Sequence, residues 1–202
     1  IGLLFSIGGD VALMWPSDKF LLGLVSFLTG HVFYISGLLS GIEFSLSWYV
    51  WTPLLFFGSI MFLGLRSGLG KMQVPVLVYI LVILIMSGVA LERHFQLALP
   101  QTLFAACGAG LFLLSDTLLA WNRFRVKFKS AQVLILSTYY VAQWALAPLA
   151  LAEWSLRLPD SFLSLRELPT LAAILLAGSL AGMIPAEKAF RNSLADGLTP
   201  RN

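Results

Sequence analysis

The chain has 202 residues, of which 58% are hydrophobic and 11% charged, with a mean hydropathy of +0.87 and a net charge of +3. A soluble domain carries about 25% charged residues, so this surface is not built for water. The Lys and Arg residues sit in short connections between apolar stretches rather than on one face, which argues against a nucleic-acid partner. The single Cys107 excludes an intrachain disulfide.

Ile1 opens inside an apolar run with neither an initiator Met nor a charged leader, which predicts no signal peptide and a natural start further upstream. A bilayer core needs about 20 apolar residues of helix. Seven stretches approach that length, at 1–15, 21–40, 48–65, 74–91, 102–121, 131–152 and 170–186. The pattern predicts an all-α, polytopic transmembrane bundle of about seven spans, with one or two more expected before residue 1. Pro16, Pro75, Pro100 and Pro169 fall at or beside span ends, where a missing N–H does least harm. Gly37/Gly41 and Gly178/Gly182 have the spacing that permits close helix contact. Residues 1–152 are expected to form the functional bundle, and 153–202 an outer loop, a further span and a tail.

Counting Lys and Arg by alternate connections gives ten on one side and three on the other. The positive-inside rule then places the 122–130 loop and the C-terminus in the cytoplasm, and the expected location is the inner membrane of a bacterium. The first and fifth spans end alike, in Gly9-Asp10-Val11-Ala12-Leu13-Met14-Trp15 and Ser115-Asp116-Thr117-Leu118-Leu119-Ala120-Trp121, at an offset of 106 residues that also aligns Tyr34 with Tyr140. Both spans run in one direction, as a parallel repeat requires.

Of the acidic residues, only Asp10 and Asp116 fall inside predicted spans, and no Lys or Arg does. An ionised carboxylate in hydrocarbon is costly, so such residues face the bundle interior and mark function by default. Each lies five residues before the end of its span, about 8 Å deep at 1.5 Å per residue, which lets the two share a cavity. His31 sits near the midplane with Tyr34 one turn on, and Tyr139, Tyr140 and Gln143 lie deep in the sixth span, with Gln143 able to share a face with either tyrosine. Polar groups at that depth need partners or a wet cavity, so a polar pocket among the first, second, fifth and sixth spans is expected. His94, beside Glu92 and Arg93, reads as a solvated loop residue.

The segment Asn122-Arg123-Phe124-Arg125-Val126-Lys127-Phe128-Lys129 interleaves cations with aromatic rings. It serves topology, and it also offers attraction to lipid phosphates at a cavity mouth. No nucleophile elbow, Walker loop or His-Glu-x-x-His motif is present. One intramembrane His cannot build a three-His zinc site, so no metal or cofactor is expected, although a His-plus-two-Asp set is left open.

The chain resembles the lysoplasmalogenase (YhhN-like) family of membrane proteins. The resemblance rests on four segments in order: residues 2–10 ending in Gly8-Gly9-Asp10; 27–34 with Gly30-His31 and Tyr34; 113–124 with Ser115-Asp116 and Asn122-Arg123; and Tyr139-Tyr140-Val141-Ala142-Gln143. It covers roughly residues 2 to 148. Two departures stand out: the further apolar sequence that family members carry before the Gly-Asp motif has no counterpart here, and this chain continues past its sixth span. The resemblance implies hydrolysis of the vinyl ether bond of lysoplasmalogens, with a lysophospholipid and water as reactants and membrane lipids as surroundings. Vinyl ethers yield to acid, so the reaction wants a carboxylic acid that keeps its proton and a second carboxylate that steadies the cation or activates water. On that basis Asp116 is expected as the acid and Asp10 as its partner. His31, Tyr34, Tyr139, Tyr140 and Gln143 would orient water or glycerol oxygens, and Asn122 and Arg123 would meet the headgroup phosphate. A proton-coupled carrier and a lipid-binding scaffold are the alternatives from other classes; oligomeric state is not legible.

Overall fold

The computed structural model describes residues 1–15 and 17–155, with side chains through residue 146. Pro16, the predicted seventh span with Gly178/Gly182, and the cations beyond residue 155 lie outside the described residues. Where backbone groups have no water, a helix satisfies them within itself, and six α-helices account for almost all of the described chain. They are α1 (Gly2–Met14), α2 (Phe20–Leu39), α3 (Trp48–Leu69), α4 (Gln73–Leu97), α5 (Pro100–Phe124) and α6 (Ala131–Ser155). Each overlays one predicted span, and α3, α4 and α5 run several residues further than predicted. Among the described residues, the stretches Phe20–Leu39, Trp48–Leu97 and Pro100–Phe124 are long and apolar enough to cross a membrane, and α1 is a shorter apolar helix.

Local chemistry explains the breaks. The α3–α4 hairpin turns at Gly70, whose φ of +51° suits a residue without Cβ. Helix α5 begins with Pro100 in its first turn, where no N–H partner is needed, and the Thr102 hydroxyl donates to Leu99 O at 2.7 Å while accepting from Leu99 N at 3.2 Å. Pro75 sits just inside α4 for the same reason as Pro100.

The helices pack as three antiparallel hairpins: α1 on α2, α3 on α4, and α5 on α6. On the α1–α2 seam, Gly2 faces the carbonyl of Gly30, Gly9 faces the ring of Phe27, and Gly23 faces Leu13. Small residues let the backbones close together. Helix α4 then lies between α2 and α5, so its buried residues Tyr79, Ile83, Met86, Val89 and Ala90 join Phe27 and Leu38 of α2 with Ala105, Ala109 and Phe112 of α5 in one core. A second cluster of Met61, Leu65, Leu69 and Val76 closes the α3–α4 turn. The large apolar side chains left exposed, such as Leu55, Phe56 and Ile60 on α3, suit a lipid surrounding.

Several expectations need correction. Gly41 is a turn residue with φ +74° and open space around it, not a packing glycine. His94 is not a loop residue: it lies in the last turn of α4, 3.1 Å from Thr102 Oγ1. Glu92 and Arg93 also belong to α4 rather than to a connection. Glu92 is buried and accepts from Ser45 Oγ at 2.6 Å, Ser47 N at 2.9 Å and Ser47 Oγ at 3.0 Å. Arg93 Nη1 donates to the carbonyls of Leu38 and Ser40, groups that the end of α2 leaves without helical partners. Cations close to a helix C-terminus suit its dipole.

Candidate active site

The hairpin geometry brings together side chains far apart in sequence. Asp116, on α5, accepts a hydrogen bond at Oδ2 from the Tyr79 hydroxyl of α4, at 2.6 Å. His31 Nε2 on α2 lies 3.9 Å from the same oxygen; the His31 side chain is 1% exposed and that of Asp116 13%. The other ring nitrogen of His31 is 2.6 Å from Phe27 O. A carbonyl only accepts, so Nδ1 carries a hydrogen, and in the neutral imidazole Nε2 is then the acceptor beside Asp116. His31 Nε2 has no hydrogen-bond partner among the described residues.

Asp10, on α1, is held differently. Tyr139 donates to Asp10 Oδ2 at 2.9 Å, Gln143 Nε2 donates to the Tyr139 hydroxyl at 3.1 Å, and Tyr34 donates to Gln143 Oε1 at 2.7 Å. The chain crosses from α1 through α6 to α2. Rings join the two carboxylates: Phe112 sits edge-on to His31 at 4.7 Å and to Tyr139 at 5.3 Å, and Phe27 edge-on to Tyr139 at 5.8 Å.

An apolar pocket, partly open to the surroundings, runs beside this cluster. Phe20, Leu65 and Phe124 line it at the end where Lys19, Arg66, Lys71, Arg123 and Arg125 gather, and Phe57, Ile83 and Leu84 line it deeper in the bundle. Tyr79 and Asp116 stand in its wall between those ends. Asp10 is not in that wall.

Six of the expected residues therefore meet: Asp10, Asp116, His31, Tyr34, Tyr139 and Gln143. Tyr140 lies tilted against Tyr139, ring centroids 5.2 Å apart, without a hydrogen bond among the described residues. Asn122 and Arg123 lie apart at the basic end: Asn122 Oδ1 accepts from Phe128 N at 3.2 Å, and Arg123 pairs with Asp18. Helix α5 continues to Phe124, so Asp116 lies eight residues from its helix end and Asp10 four from its own. The expected echo of α1 in α5 is not matched by equivalent partners, since Asp10 is held from α6 and Asp116 from α4. Tyr79 was missed. Its signal was a tyrosine deep inside the fourth span, as Tyr139 is in the sixth.

No three of the His, Cys, Asp and Glu residues converge as a metal site among the described residues. In comparison with known proteins, residues 1–149 match the YhhN family. The chain belongs to that family. Among the curated relatives of this YhhN protein, lysoplasmalogenase TMEM86B of Mus musculus is 31% identical over 156 residues, 77% of this chain and 64% of the relative. Its Homo sapiens namesake is 32% identical over 146 residues, covering 70% and 58%. Lysoplasmalogenase TMEM86A of Homo sapiens is 31% identical over 169 residues, covering 73% and 62%. The chain thus spans about three fifths of the length of these relatives. No solved structure matches it. Its YhhN membership and apolar helices make it an integral membrane protein.

Proposed function

We propose that this protein hydrolyses the vinyl ether bond of a lysoplasmalogen inside the membrane, with Asp116 as the acid and Asp10 as its electrostatic partner. One observation carries the reading: Asp116 is the carboxylate in the wall of an apolar pocket whose lining reaches Phe20, Leu65 and Phe124 at the basic end. A single-chain lipid would enter with its phosphate at the cations and its hydrocarbon deep among Phe57, Ile83 and Leu84. The bond between glycerol and chain would then lie near Asp116. The lysoplasmalogenase names of the relatives support the same substrate.

The chemistry follows from the geometry. Tyr79 occupies Asp116 Oδ2, so Oδ1 is free to hold the proton. Transfer of that proton to the alkenyl carbon next to the ether-bearing one gives an oxocarbenium ion. Asp10, oriented by Tyr139, steadies the cation through a low-dielectric, ring-filled gap, where such an interaction is stronger than in water. Water then adds to the cation, and the emptied Asp116 carboxylate takes its proton, as a general acid turned base. His31 Nε2 orients that water by accepting its second hydrogen. The hemiacetal collapses to a fatty aldehyde as the glycerol oxygen leaves with the proton from Asp116, and the hydroxyl proton of the hemiacetal passes by way of His31 Nε2 to Asp116, restoring the acid. Gln143 and Tyr34 hold Tyr139, and Asn122 and Arg123 lie at the headgroup end. In this account residues 1–152 carry the activity, and the basic end faces the cytoplasm of a bacterial inner membrane.

The hydrogen-bond chain from Asp10 to Tyr34 also favours a second reading, a proton-coupled carrier. Purified protein, in detergent for turnover and in sealed proteoliposomes for uptake, separates the two when given a vinyl-ether lysophospholipid, its acyl ester and its saturated alkyl ether. Hydrolysis predicts aldehyde from the vinyl ether alone. Fatty acid from the ester would assign a different hydrolase, and uptake driven by a pH gradient without any product would assign the carrier.

A further inference from the structure

Two opposite charges, Asp18 and Arg123, stand at the basic end beside rings that line the cavity. Asp18, between α1 and α2, accepts from Phe20 N through Oδ1 at 3.2 Å and pairs with Arg123 through Oδ2. The Arg123 guanidinium lies 4.7 Å over the Phe20 ring, and Phe20 meets Phe124 edge-on at 5.4 Å. Both rings line the cavity. The pair is open to water, with the Arg123 side chain 41% exposed and that of Asp18 66%, so each partner keeps free hydrogen-bonding capacity. Arg123 follows Asp116 by seven residues, which on a helix returns to nearly the same face about 10 Å further along. That rise is comparable to the reach of a glycerol and its phosphate.

We propose that the Asp18–Arg123 pair is a subsite for a zwitterionic headgroup, with Arg123 holding the phosphodiester and Asp18 the ammonium beyond it. It rests on the reading of the cavity as a lysophospholipid site. A lone arginine at the basic end would bind any phosphate and would favour the more highly charged monoester. A carboxylate fixed beside it repels that dianion and pairs with a cation, so the two residues select by sign order. The backbone bond from Phe20 N holds Asp18 in place, and the two phenyl rings offer faces to a methylated ammonium. An exposed ion pair adds little to folding, so replacing Asp18 leaves a protein whose recognition can be read.

The test compares vinyl-ether lysolipids carrying phosphoethanolamine, phosphocholine and bare phosphate heads, in an uncharged maltoside detergent. A parallel arm measures binding of the saturated alkyl ethers with the same heads, so that recognition is read without turnover. Wild type should favour the two zwitterions. Asp18→Asn should narrow that preference roughly fivefold in kcat/KM, the worth of one exposed charge pair, Asp18→Lys should invert it, and Asp18→Glu should keep it. Preference ratios unchanged in Asp18→Asn and Asp18→Lys, in turnover or in binding, would overturn the subsite. Head-selective binding with no aldehyde from any lipid would support the subsite while refuting the hydrolase reading.

Discussion

Gly9 immediately precedes Asp10, and the space around it ties helix packing to the carboxylate. A Cβ placed there would lie 2.6 to 2.8 Å from three atoms of the Phe27 ring. Ordinary contact begins near 3.4 Å, so the ring would have to withdraw by about 0.8 Å. Phe27 is buried and edge-on to Tyr139, whose hydroxyl holds Asp10. Withdrawal therefore passes into that hydrogen bond. Overpacking costs about 1–3 kcal/mol, and a helical Gly→Ala change returns about 1 kcal/mol, leaving a net loss near 1 kcal/mol for Gly9→Ala. Disturbing a hydrogen bond to a charged group costs about 1.5–3 kcal/mol, so turnover should fall roughly ten- to a hundredfold. Gly110→Ala is the control, because a Cβ there meets nothing within 4 Å; it should keep wild-type turnover and stability or gain slightly. Thermal unfolding in detergent and aldehyde release read both effects. Gly9→Ala with wild-type melting and turnover would refute this coupling of packing to Asp10.

Other substitutions probe separate parts of the molecule. Tyr79→Phe should lower aldehyde release about tenfold while the protein melts near wild type, since it removes one bond to Asp116; an unchanged rate removes Tyr79 from the site. Glu92→Gln should cost about 1–3 kcal/mol of stability by weakening its hold on Ser45 and Ser47, yet spare KM, because Glu92 is not among the residues that line the cavity; calorimetry beside kinetics checks both. Arg123 holds the Asp18 carboxyl below its usual 3.8. The stability from that pair is therefore present above pH 3.8 and is lost as pH falls through the depressed value. Asp18→Asn should melt slightly below wild type at neutral pH and converge with it in strong acid, and a gap that persists there contradicts the pairing.

The helices were legible because hydropathy reports length, and length is what a bilayer demands. Asp10, Asp116 and His31 were legible because ionisable groups in apolar runs carry a high cost and stand out. Hidden from the sequence was which hydroxyl serves which carboxylate. Tyr79 and Tyr139 are equivalent letters at similar depth, and only the packing of α4 between α2 and α5 sends Tyr79 to Asp116. Glu92 was read as a connection residue because a hydropathy window ends where charge begins. The helix continues, since Ser45 and Ser47 fold back to cover that charge. Arg123 was legible as a cation at the inner end, but its partner Asp18 lies 105 residues away, beyond any local pattern.

The central claim is that a proton passes from Asp116 to carbon, and running the reaction in deuterium oxide tests it most directly. The vinyl-ether lysolipid would be hydrolysed by wild type, Asp10→Asn and Asp116→Asn, with the aldehyde trapped at once as a hydrazone for mass spectrometry. The account predicts one deuterium on the carbon next to the carbonyl for wild type, and no aldehyde above background from folded Asp116→Asn. Unlabelled aldehyde from wild type, or full turnover by Asp116→Asn, would contradict it.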